Sequence, residues 1–361
     1  MQMTMRFWNH GPVSSTSDVI DIRPEEAFDV DRVAEFLEGK VAGAEGTPRV
    51  RQFSGGHANL TYLLHYPKMD LVLRRPPLGP VAPGSHDMAR EFAVLSRLYR
   101  AFPPAPRAFV LCEDAALIGS TFFVMEKRDG VVVRGEVPER FGGGSDPVSN
   151  RKLSEVVIDT LAQFHRVDPA ACGLDQIGRP EGFLRRQVEG WLQRWEGARH
   201  ERNETADRVA SWVAESIPSS PPPTLLHNDW RLDNMAVSEE DPGTCTAVYD
   251  WDMCTRGDPL ADLGTLLAVW YEGDEVPANL NPMPTTVPGF MKRAEAVERY
   301  QSLTGFPVDD FGWYLVFGTW KLGVVLQQIF IRWHRGQTHD ERFAAMGDGA
   351  KRLFELAAAR I

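Results

Sequence analysis

The chain has 361 residues, of which 43% are apolar and 25% charged, and its 50 acidic against 39 basic residues give a formal net charge of −11. This composition excludes wholesale disorder and collagen-like, coiled-coil or disulfide-scaffold structures, and the length predicts about two domains, or one domain in two lobes. The acidic balance argues against nucleic-acid binding and against adsorption to an anionic membrane, so we expect neither kind of partner.

Cysteine usage and hydropathy predict a cytoplasmic protein. The four cysteines form no CxxC pair, and sparse, unpatterned cysteine is typical of a reducing compartment. The first residues lack the basic segment and apolar run of a signal peptide. The most apolar stretch, Phe311 to Trp333, is interrupted by Lys321, Gln327 and Gln328. It therefore predicts a buried helix rather than a membrane span.

In chain order, the first half of the sequence mixes strand and helix patterns. Residues 1–17 have the composition of a polar tail, and apolar spacing from Asp31 predicts a short helix. Two strand-like runs, Arg49 to Phe53 and Leu60 to Tyr66, are separated by a short glycine-containing loop and predict a β-hairpin. Further predicted elements are strands at Leu71 to Arg74 and Phe122 to Met125, and a helix that opens at Asp87.

The second half is mainly helical by the same criterion. Helices are predicted at Leu153 to Phe164, Gly182 to Trp195 and Asp207 to Glu215, and short strands at Thr224 to Leu226 and Ala247 to Tyr249. Helical patterns fill the remainder. We therefore predict an α+β chain with a tail at 1–17, a smaller α+β lobe at 18–127 and a larger, mainly helical lobe at 128–361.

A polar constellation follows the short strand at Thr224 to Leu226. Asp229 is followed five residues later by Asn234, and Asp250 ends another short strand. If the two strands pair as a hairpin, the three side chains converge at one end. Such oxygen ligands suit Mg²⁺, which prefers one or two carboxylates plus substrate phosphates, and a carboxylate there can orient a hydroxyl and accept its proton. Taken alone, Asp and Asn also simply populate turns.

The motifs resemble those of the aminoglycoside phosphotransferase family, members of the protein-kinase-like superfamily. His227-x-Asp229-x-x-x-x-Asn234 is similar to the family's catalytic loop, Asp250-Trp251 to its metal-binding element, and GDPLADL at 257–263 to the segment that follows. The resemblance implies a two-lobed kinase-like fold, with an antiparallel sheet in a nucleotide-binding N-lobe and the catalytic loop, metal site and acceptor site in the helical C-lobe.

The same resemblance implies ATP and Mg²⁺ as cofactors and assigns residue roles. Asp229 is the implied catalytic base, Asn234 and Asp250 are the implied Mg²⁺ ligands, and His227 holds the loop. For Asp258 and Asp262, at the start of an apolar run, we favour a structural role in capping a helix.

The first half is then expected to bind the nucleotide. Ser54, Gly55 and Gly56 lie in the hairpin loop where a phosphate-covering loop is expected, and the glycines would let backbone N–H groups approach phosphate oxygens. The loop is not GxGxxG, and an ordinary hairpin turn is the alternative interpretation.

Strand alternation places Val72 and Arg74 on one face, where kinases have an adenine-packing residue and a lysine. Arginine in place of lysine can still bridge phosphates, although Arg75 is a competitor for this role. Glu91, on the helix from Asp87, is the predicted ion-pair partner of Arg74.

The strand at Phe122 to Met125 resembles the one that leads to the hinge between kinase lobes. By position, backbone groups of Glu126 and Arg128 are expected to bond the adenine edge. The side chains at these two positions are expected to matter little.

More narrowly, LVLRRPP, AREF and DWRLDN resemble the kinase-like N-terminal domains of some acyl-CoA dehydrogenase proteins, in which the arginine is usual. The implied function is transfer of the γ-phosphoryl group of ATP to a hydroxyl of a small molecule. A cationic aminoglycoside, a choline-like compound and a hydroxyacyl metabolite, such as a CoA thioester, all stay open as acceptors. The oligomeric state and the preference for ATP over GTP are also open.

Three other functions are compatible with parts of the sequence. A pseudokinase that only binds nucleotide is suggested by Arg74, and a metal-dependent hydrolase by the grouping of His227, Asp229 and Asp250. Asp250-x-Asp252 matches the short DxD of nucleotide-sugar transferases, but its surroundings argue against that class.

Two further sets of residues are expected to be buried packing groups: His165, and the aromatic residues Trp191, Trp195, Trp313, Tyr314 and Trp320.

Overall fold

The structure is a computed structural model, and it describes residues 19–54, 59–79, 86–277 and 282–361. The chain divides into two compact units that interleave along the sequence. The first comprises the described residues through Arg134, with Asp168–Gln176 and Leu232–Cys254, and the second comprises Gly135–Val167, Ile177–Arg231 and Thr255–Ile361. The predicted lobes at 18–127 and 128–361 are continuous and do not include the two later segments that belong to the first unit. The assignment of nucleotide binding to one lobe and of the catalytic loop to the other stays a prediction. The predicted tail lies outside the described residues.

Most predicted elements are present, with bounds shifted by a few residues. The strands of the described residues are β1 (Val19–Ile20), β2 (Arg49–Phe53), β3 (Leu60–His65), β4 (Asp70–Arg75), β5 (Ala108–Cys112), β6 (Phe122–Glu126), β7 (Thr224–Leu226), β8 (Met235–Val237), β9 (Cys245–Val248) and β10 (Thr255–Gly257). Their α-helices are α1 (Val30–Leu37), α2 (Met88–Leu98), α3 (Pro147–His165), α4 (Phe183–Ala198), α5 (Glu204–Glu215), α6 (Pro259–Ala268), α7 (Arg293–Thr304), α8 (Phe311–His334) and α9 (Met346–Ala358).

An antiparallel six-stranded sheet forms the first unit, in the order β1-β2-β3-β4-β6-β5. One face of the sheet carries an apolar core that includes Leu71 and Leu73 of β4 and is covered by Val33 and Leu37 of α1. Because side chains alternate along a strand, Val72 and Arg74 lie on the other face. Helix α2 packs near β5 and β6, where the rings of Phe92 and Phe123 are 6.4 Å apart.

The two short strands that could have formed a hairpin in the second half do not pair with each other. Strand β9 instead pairs with β8, and β7 pairs with β10, both in antiparallel fashion. The β8 strand was missed because it is a short Met-Ala-Val run. A hairpin across the few residues between β8 and β9 closes a much shorter loop than pairing between β7 and β9 would. This correction decides which candidate ligands come together.

Helix α8 runs through the core of the second unit, as the buried-helix prediction expected. It is long and apolar enough to cross a membrane, but 78% of its most apolar window is buried in the protein. Helices α6 and α8 cross at glycines, since a Cβ added to Gly318 would lie 2.5 Å from the carbonyl oxygen of Gly264. This close crossing brings the polar side chains of α6 next to α8.

Candidate functional site

The first unit contains a buried charge cluster centred on Arg74. Its Nε lies 3.1 Å from Oε2 of Glu91 on α2, so the predicted ion pair is present. Its Nη2 also donates to Oδ1 of Asp250 at 2.6 Å. Burial by itself would lower the pKa of Arg74, but the negative charges of Glu91, Asp250 and Asp252 outweigh it and raise this pKa. The arginine is therefore permanently charged and held between two carboxylates.

Arg75 does not share this face, which answers the question that the sequence left open. Its guanidinium points into the core side of the sheet, where it donates to the hydroxyl of Tyr62 at 2.8 Å and to the carbonyl oxygens of Ile118 and Glu26. It also lies over the rings of Phe28 and Tyr62. Because neighbouring residues of a strand face opposite ways, only Arg74 can serve the Glu91 side.

Asp250 sits in a backbone conformation that few residues adopt. Its φ is +63°, in the left-handed region, where Asp and Asn are enriched among non-glycine residues. The next residue, Trp251, is buried and donates from its indole to the Val248 carbonyl at 2.7 Å. The carbonyl of Cys254 accepts from Arg90 of α2 at 2.8 Å. These contacts fix the turn that presents the Asp250 carboxylate to Arg74.

The β8–β9 hairpin brings the two predicted metal ligands to the same end. Asn234 immediately precedes β8, and Asp250 lies just beyond β9. The Tyr249 amide donates to the Asn234 carbonyl at 2.8 Å. Within the described ranges no cluster of three or more His, Cys, Asp or Glu side chains could hold a metal alone. One carboxylate plus one amide oxygen is a hard donor set that fits Mg²⁺ shared with substrate phosphates.

The other predicted nucleotide contacts are less fully described. Gly55 and Gly56 lie outside the described residues, and Ser54 is an exposed residue just after β2. Val72 is buried on the same face as Arg74. The Glu126 amide donates to the Arg107 carbonyl at 2.9 Å. That amide hydrogen is therefore already used and is not available for the predicted adenine contact.

The side chains of Glu126 and Arg128 form an ion pair with each other. The Glu126 carboxylate also accepts from the Arg107 amide at 3.0 Å, and Arg128 donates to the Pro103 carbonyl at 3.0 Å. Both side chains are thus engaged in holding the local chain.

The second unit carries Asp229 on a loop that directly follows β7. Asp262 of α6 accepts the backbone amides of His227 at 2.6 Å and Asn228 at 2.7 Å. Asn228 has a φ of +67°, and the Asp229 amide donates to His227 Nδ1 at 3.3 Å. The Asp262 carboxylate therefore holds the loop through two backbone amides, and His227 has the structural role that the resemblance implied.

Asp262 is the functional residue whose role the sequence reasoning missed. The expected capping role is right for Asp258, whose side chain accepts from the Leu260 amide at 2.9 Å, and wrong for Asp262. Asp262 lies three residues inside α6, one turn past the cap, which was the available signal. Its carboxylate leaves its own helix and accepts from the loop instead.

A buried network supports Asp262 from α3 and α7. The Nε2 of His165 lies 3.3 Å from Oδ2 of Asp262, and its Nδ1 lies 2.6 Å from the hydroxyl of Tyr300. Burial by itself would raise the pKa of Asp262, but the hydrogen bond and charge of His165, with the His227 amide, outweigh it and lower this pKa. His165 is buried as expected, and it also helps to keep Asp262 ionised.

Aromatic packing secures the remaining parts of the second unit. Trp230, next to Asp229, stacks on Phe164 and donates to the Val157 carbonyl of α3 at 3.1 Å. The packing role predicted for the C-terminal aromatic residues is confirmed by their burial: Trp191, Trp195, Trp313, Tyr314 and Trp320 are each at most 4% exposed. Trp191 has an additional feature, because it is flanked by two cationic side chains.

The fold is shared with solved structures of small-molecule phosphotransferases. A Ralstonia eutropha protein assigned to the aminoglycoside phosphotransferases is 26% identical, with a TM-score of 0.80 over 92% of this chain and 98% of that one. The aminoglycoside phosphotransferase APH(4)-Ia, in a ternary complex with AMP-PNP and hygromycin B, is 17% identical and has a TM-score of 0.56 over 91% of this chain and 98% of its own. This second likeness shows the fold alone. The predicted α+β, kinase-like fold is confirmed.

Sequence comparison defines the family. Residues 49–282 match the model of the phosphotransferase enzyme family, and the chain belongs to that family. Acyl-CoA dehydrogenase family member 10 of Mus musculus is 28% identical over 341 residues, which cover 93% of this chain and 31% of the mouse protein. Acyl-CoA dehydrogenase family member 11 of Gallus gallus is 32% identical over 248 residues, covering 67% of this chain and 31% of its own length. The chain thus spans about a third of these two relatives, as the narrower resemblance implied.

Proposed function

We propose that this protein transfers the γ-phosphoryl group of ATP to a hydroxyl of a small molecule in a Mg²⁺-dependent reaction. The observation that carries the proposal is the buried Arg74, held between Glu91 at 3.1 Å and Asp250 at 2.6 Å. Desolvating three charged groups is costly, and strongly perturbed charged groups cluster at functional sites. The matched family and the nucleotide-bound structural relative support the same reading.

The nucleotide is assigned to the first unit. Arg74 binds phosphate oxygens, because a guanidinium has five donors and can keep its carboxylate partners while it does so. Val72 packs against the adenine, and the carbonyl of Glu126 and the backbone of Arg128 bond its edge. The loop of Ser54, Gly55 and Gly56 covers the phosphates. Mg²⁺ held by Asn234 and Asp250 would supply charge neutralisation for the transferring phosphoryl group.

Asp229 is assigned to the acceptor. Its carboxylate orients the acceptor hydroxyl and takes its proton as the oxygen bonds to the γ-phosphorus, while the bond from that phosphorus to the β–γ bridging oxygen breaks and ADP leaves. The two short bonds from the loop amides to Asp262 hold Asp229 in place during this step. Positioning is the larger part of such catalysis, since phosphoryl transfer requires little covalent chemistry from the protein.

The first experiment is a thermal shift with ATP and Mg²⁺. Ligand at 100 times its Kd adds about 2.7 kcal/mol of stability. We expect a Mg²⁺-dependent shift that Asp250→Asn loses and that the control Asp340→Asn, at the surface ion pair with Arg342, keeps. Absence of a shift with any nucleoside triphosphate contradicts the proposal.

Turnover is tested by ADP release. Asp229→Asn is expected to keep the ATP shift and to lose about 10²- to 10⁴-fold in acceptor-dependent ADP release. Full activity in this variant would refute the assignment of Asp229.

A nucleotide-binding module without transfer is the second candidate. It is favoured by one observation: the Arg74–Asp250 ion pair engages the carboxylate that is expected to bind metal. This candidate predicts an ATP shift with no ADP release for any hydroxyl acceptor. A metal-dependent hydrolase would show neither an ATP shift nor ADP release, so the same two assays separate all three functions.

A further inference from the structure

Lys321 is a buried cation in the middle of the apolar helix α8. The residue is 7% exposed, and its Nζ donates to Oγ1 of Thr265 on α6 at 3.3 Å. In the part of the chain that the structure describes, this is its one hydrogen bond to an oxygen, and it forms no ion pair. Lysine is almost never buried without a paired charge, so this ammonium needs an explanation.

The surroundings of Lys321 compensate only part of its charge. Its Nζ lies 5.3 Å from the ring centroid of Trp191 and 5.5 Å from that of Phe317, within cation–π range. The hydroxyl of Thr265 donates to the Ala261 carbonyl at 2.8 Å, so it presents a lone pair to the ammonium. An ammonium has three donors, and the Thr265 oxygen accepts one of them. We call the group of Trp191, Thr265, Phe317 and Lys321 the lysine niche.

The lysine niche is close to the residues that hold the Asp229 loop. Thr265 lies three residues after Asp262 and therefore on the same side of α6, one turn further along. The glycine crossing of α6 and α8 keeps these helices in tight contact. Burial lowers the pKa of Lys321 to about 8. The negative charges of Asp262 and Asp229 act to raise this pKa, whereas the positive charge of Arg194 lowers it further. At pH 7 the amine is therefore mostly charged.

A second positive charge lies beside the same aromatic ring. The guanidinium carbon of Arg194, on α4, is 4.5 Å from the centroid of Trp191. Two cations that share one indole repel each other, and they would repel a polycationic ligand as well. An oxygen anion would accept the donors that Thr265 leaves to Lys321.

We propose that the lysine niche binds an anionic oxygen group of the phosphoryl acceptor, so that the acceptor is a hydroxylated anion and not a polycation such as an aminoglycoside. The inference rests on the proposed function and names the acceptor class of that same site. Either a carboxylate or a phosphate could supply the anionic oxygen. Lys321 is thus a specificity-determining residue, distinct from the Asp229 that takes the hydroxyl proton.

The test is a thermal-shift series on the full chain at constant ionic strength. The probes are 3-hydroxybutyrate and glycerol 3-phosphate as anions, 3-hydroxybutyramide as a neutral analogue and choline as a cation. Lys321→Met removes the charge at similar size, and Lys351→Met is the matched control at an exposed lysine of α9. We expect at least one anion to stabilise the wild type and Lys351→Met, with an apparent Kd at least tenfold weaker in Lys321→Met.

Two further readouts separate ligand binding from a structural role. Lys321→Met should melt at or above the wild-type temperature, because a poorly paired buried charge is removed; a lysine that stabilises the fold would lower it. With the preferred anion, ADP release should show a raised KM with a smaller change in kcat. Lys321→Gln, which keeps a donor for Thr265 without the charge, serves as the second variant.

The outcomes also distinguish failure of this inference from failure of the proposed function. Equal shifts with the anion and the neutral analogue, stabilisation by choline alone, no shift with any probe, or an unchanged anion shift in both Lys321 variants would each overturn the inference. If the ATP and Mg²⁺ shift is present in those same samples, the proposed function stands and only the lysine niche is misassigned. A preference for 3-hydroxybutyrate or for glycerol 3-phosphate identifies the anion as a carboxylate or a phosphate.

Discussion

Replacement of Asp262 by asparagine tests the role of the carboxylate below the Asp229 loop. Oδ2 accepts the His227 amide and the Nε2 of His165, while Oδ1 accepts the Asn228 amide. An asparagine has one oxygen, so its NH₂ group must face a donor, and one buried N–H loses its acceptor. That loss costs about 1–3 kcal/mol, and the weaker remaining bonds to a neutral group bring the expected destabilisation to about 3–5 kcal/mol.

Activity is expected to fall more than stability alone would require. Asn228 has a φ of +67°, and the hydrogen bond from its backbone amide to Asp262 helps to maintain this conformation. Loss of this hydrogen bond would let the backbone at Asn228 shift and would misplace Asp229. A misplacement of about 1 Å can lower the reaction rate about 10²-fold. Urea unfolding and ADP release, measured at a temperature where the variant is folded, report the two effects separately.

Asp258→Asn is the matched control for this variant. Asp258 is the N-cap of the same helix, a role that asparagine fills as well as aspartate. Its Oδ2 also accepts from the Tyr314 hydroxyl at 2.8 Å, and the asparagine NH₂ can donate to that hydroxyl instead. We therefore expect a smaller destabilisation than in Asp262→Asn, about 1 kcal/mol, and near wild-type turnover. Wild-type activity in Asp262→Asn, or equal losses in both variants, would refute the reasoning that Asp262 positions the loop.

The lowered pKa of Asp262 also predicts a pH dependence. A carboxylate whose folded pKa lies below its usual value of 3.8 contributes stability that is fully present above that value. The contribution is lost as pH falls through the lower pKa of the folded state. Asp262→Asn should therefore lose less stability than the wild type on acidification below about pH 4.

Two further substitutions test the charge cluster and the helix crossing. Arg74→Met leaves Glu91 and Asp250 buried without their shared cation, so it should lower the free energy of unfolding by about 3–5 kcal/mol and abolish the thermal shift with ATP. Arg342→Met, at an exposed ion pair, should leave unfolding in urea unchanged. A stable Arg74 variant that binds ATP would contradict the assignment. Gly318→Ala places a methyl group 2.5 Å from a backbone oxygen and should lower the free energy of unfolding by about 1–3 kcal/mol. Gly312→Ala on the same helix, with nothing within 4 Å, should raise it by about 0.5–1 kcal/mol. Equal denaturation midpoints would argue against a tight crossing.

Much of the first unit was predictable because its signals are local. The period of two along β4 is enough to place Val72 and Arg74 on one face and Arg75 on the other. The helical spacing of α2 turns Glu91 inward, where the structure has it buried beside Arg74. The motif around Asp229 and Asn234 could be recognised from the residues alone, although the roles of both stay predictions.

Strand pairing was not predictable in the same way. The pattern of β7 and β9 is compatible with several partners, and the choice depends on which loops close at the lowest entropic cost. Pairing of β9 with β8 is what brings Asn234 and Asp250 to one end of a hairpin. The side-chain reach from Arg74 to Asp250 spans 176 positions of sequence, which no local pattern encodes.

The sequence by itself predicted an α+β chain and the inward faces of β4 and α2, since these follow from spacing along a few turns or strand residues. It also contains a motif around Asp229 that resembles the catalytic loop of the family. The tertiary structure decided what those residues contact. In the structure Asp262, which was expected to cap a helix, accepts hydrogen bonds from two loop amides. Lys321, which in the sequence only interrupts an apolar run, lies buried against Trp191 and Thr265. The physical reason is that burial and hydrogen bonding of a charged group depend on partners from other elements, which only the packed chain brings within a few ångströms.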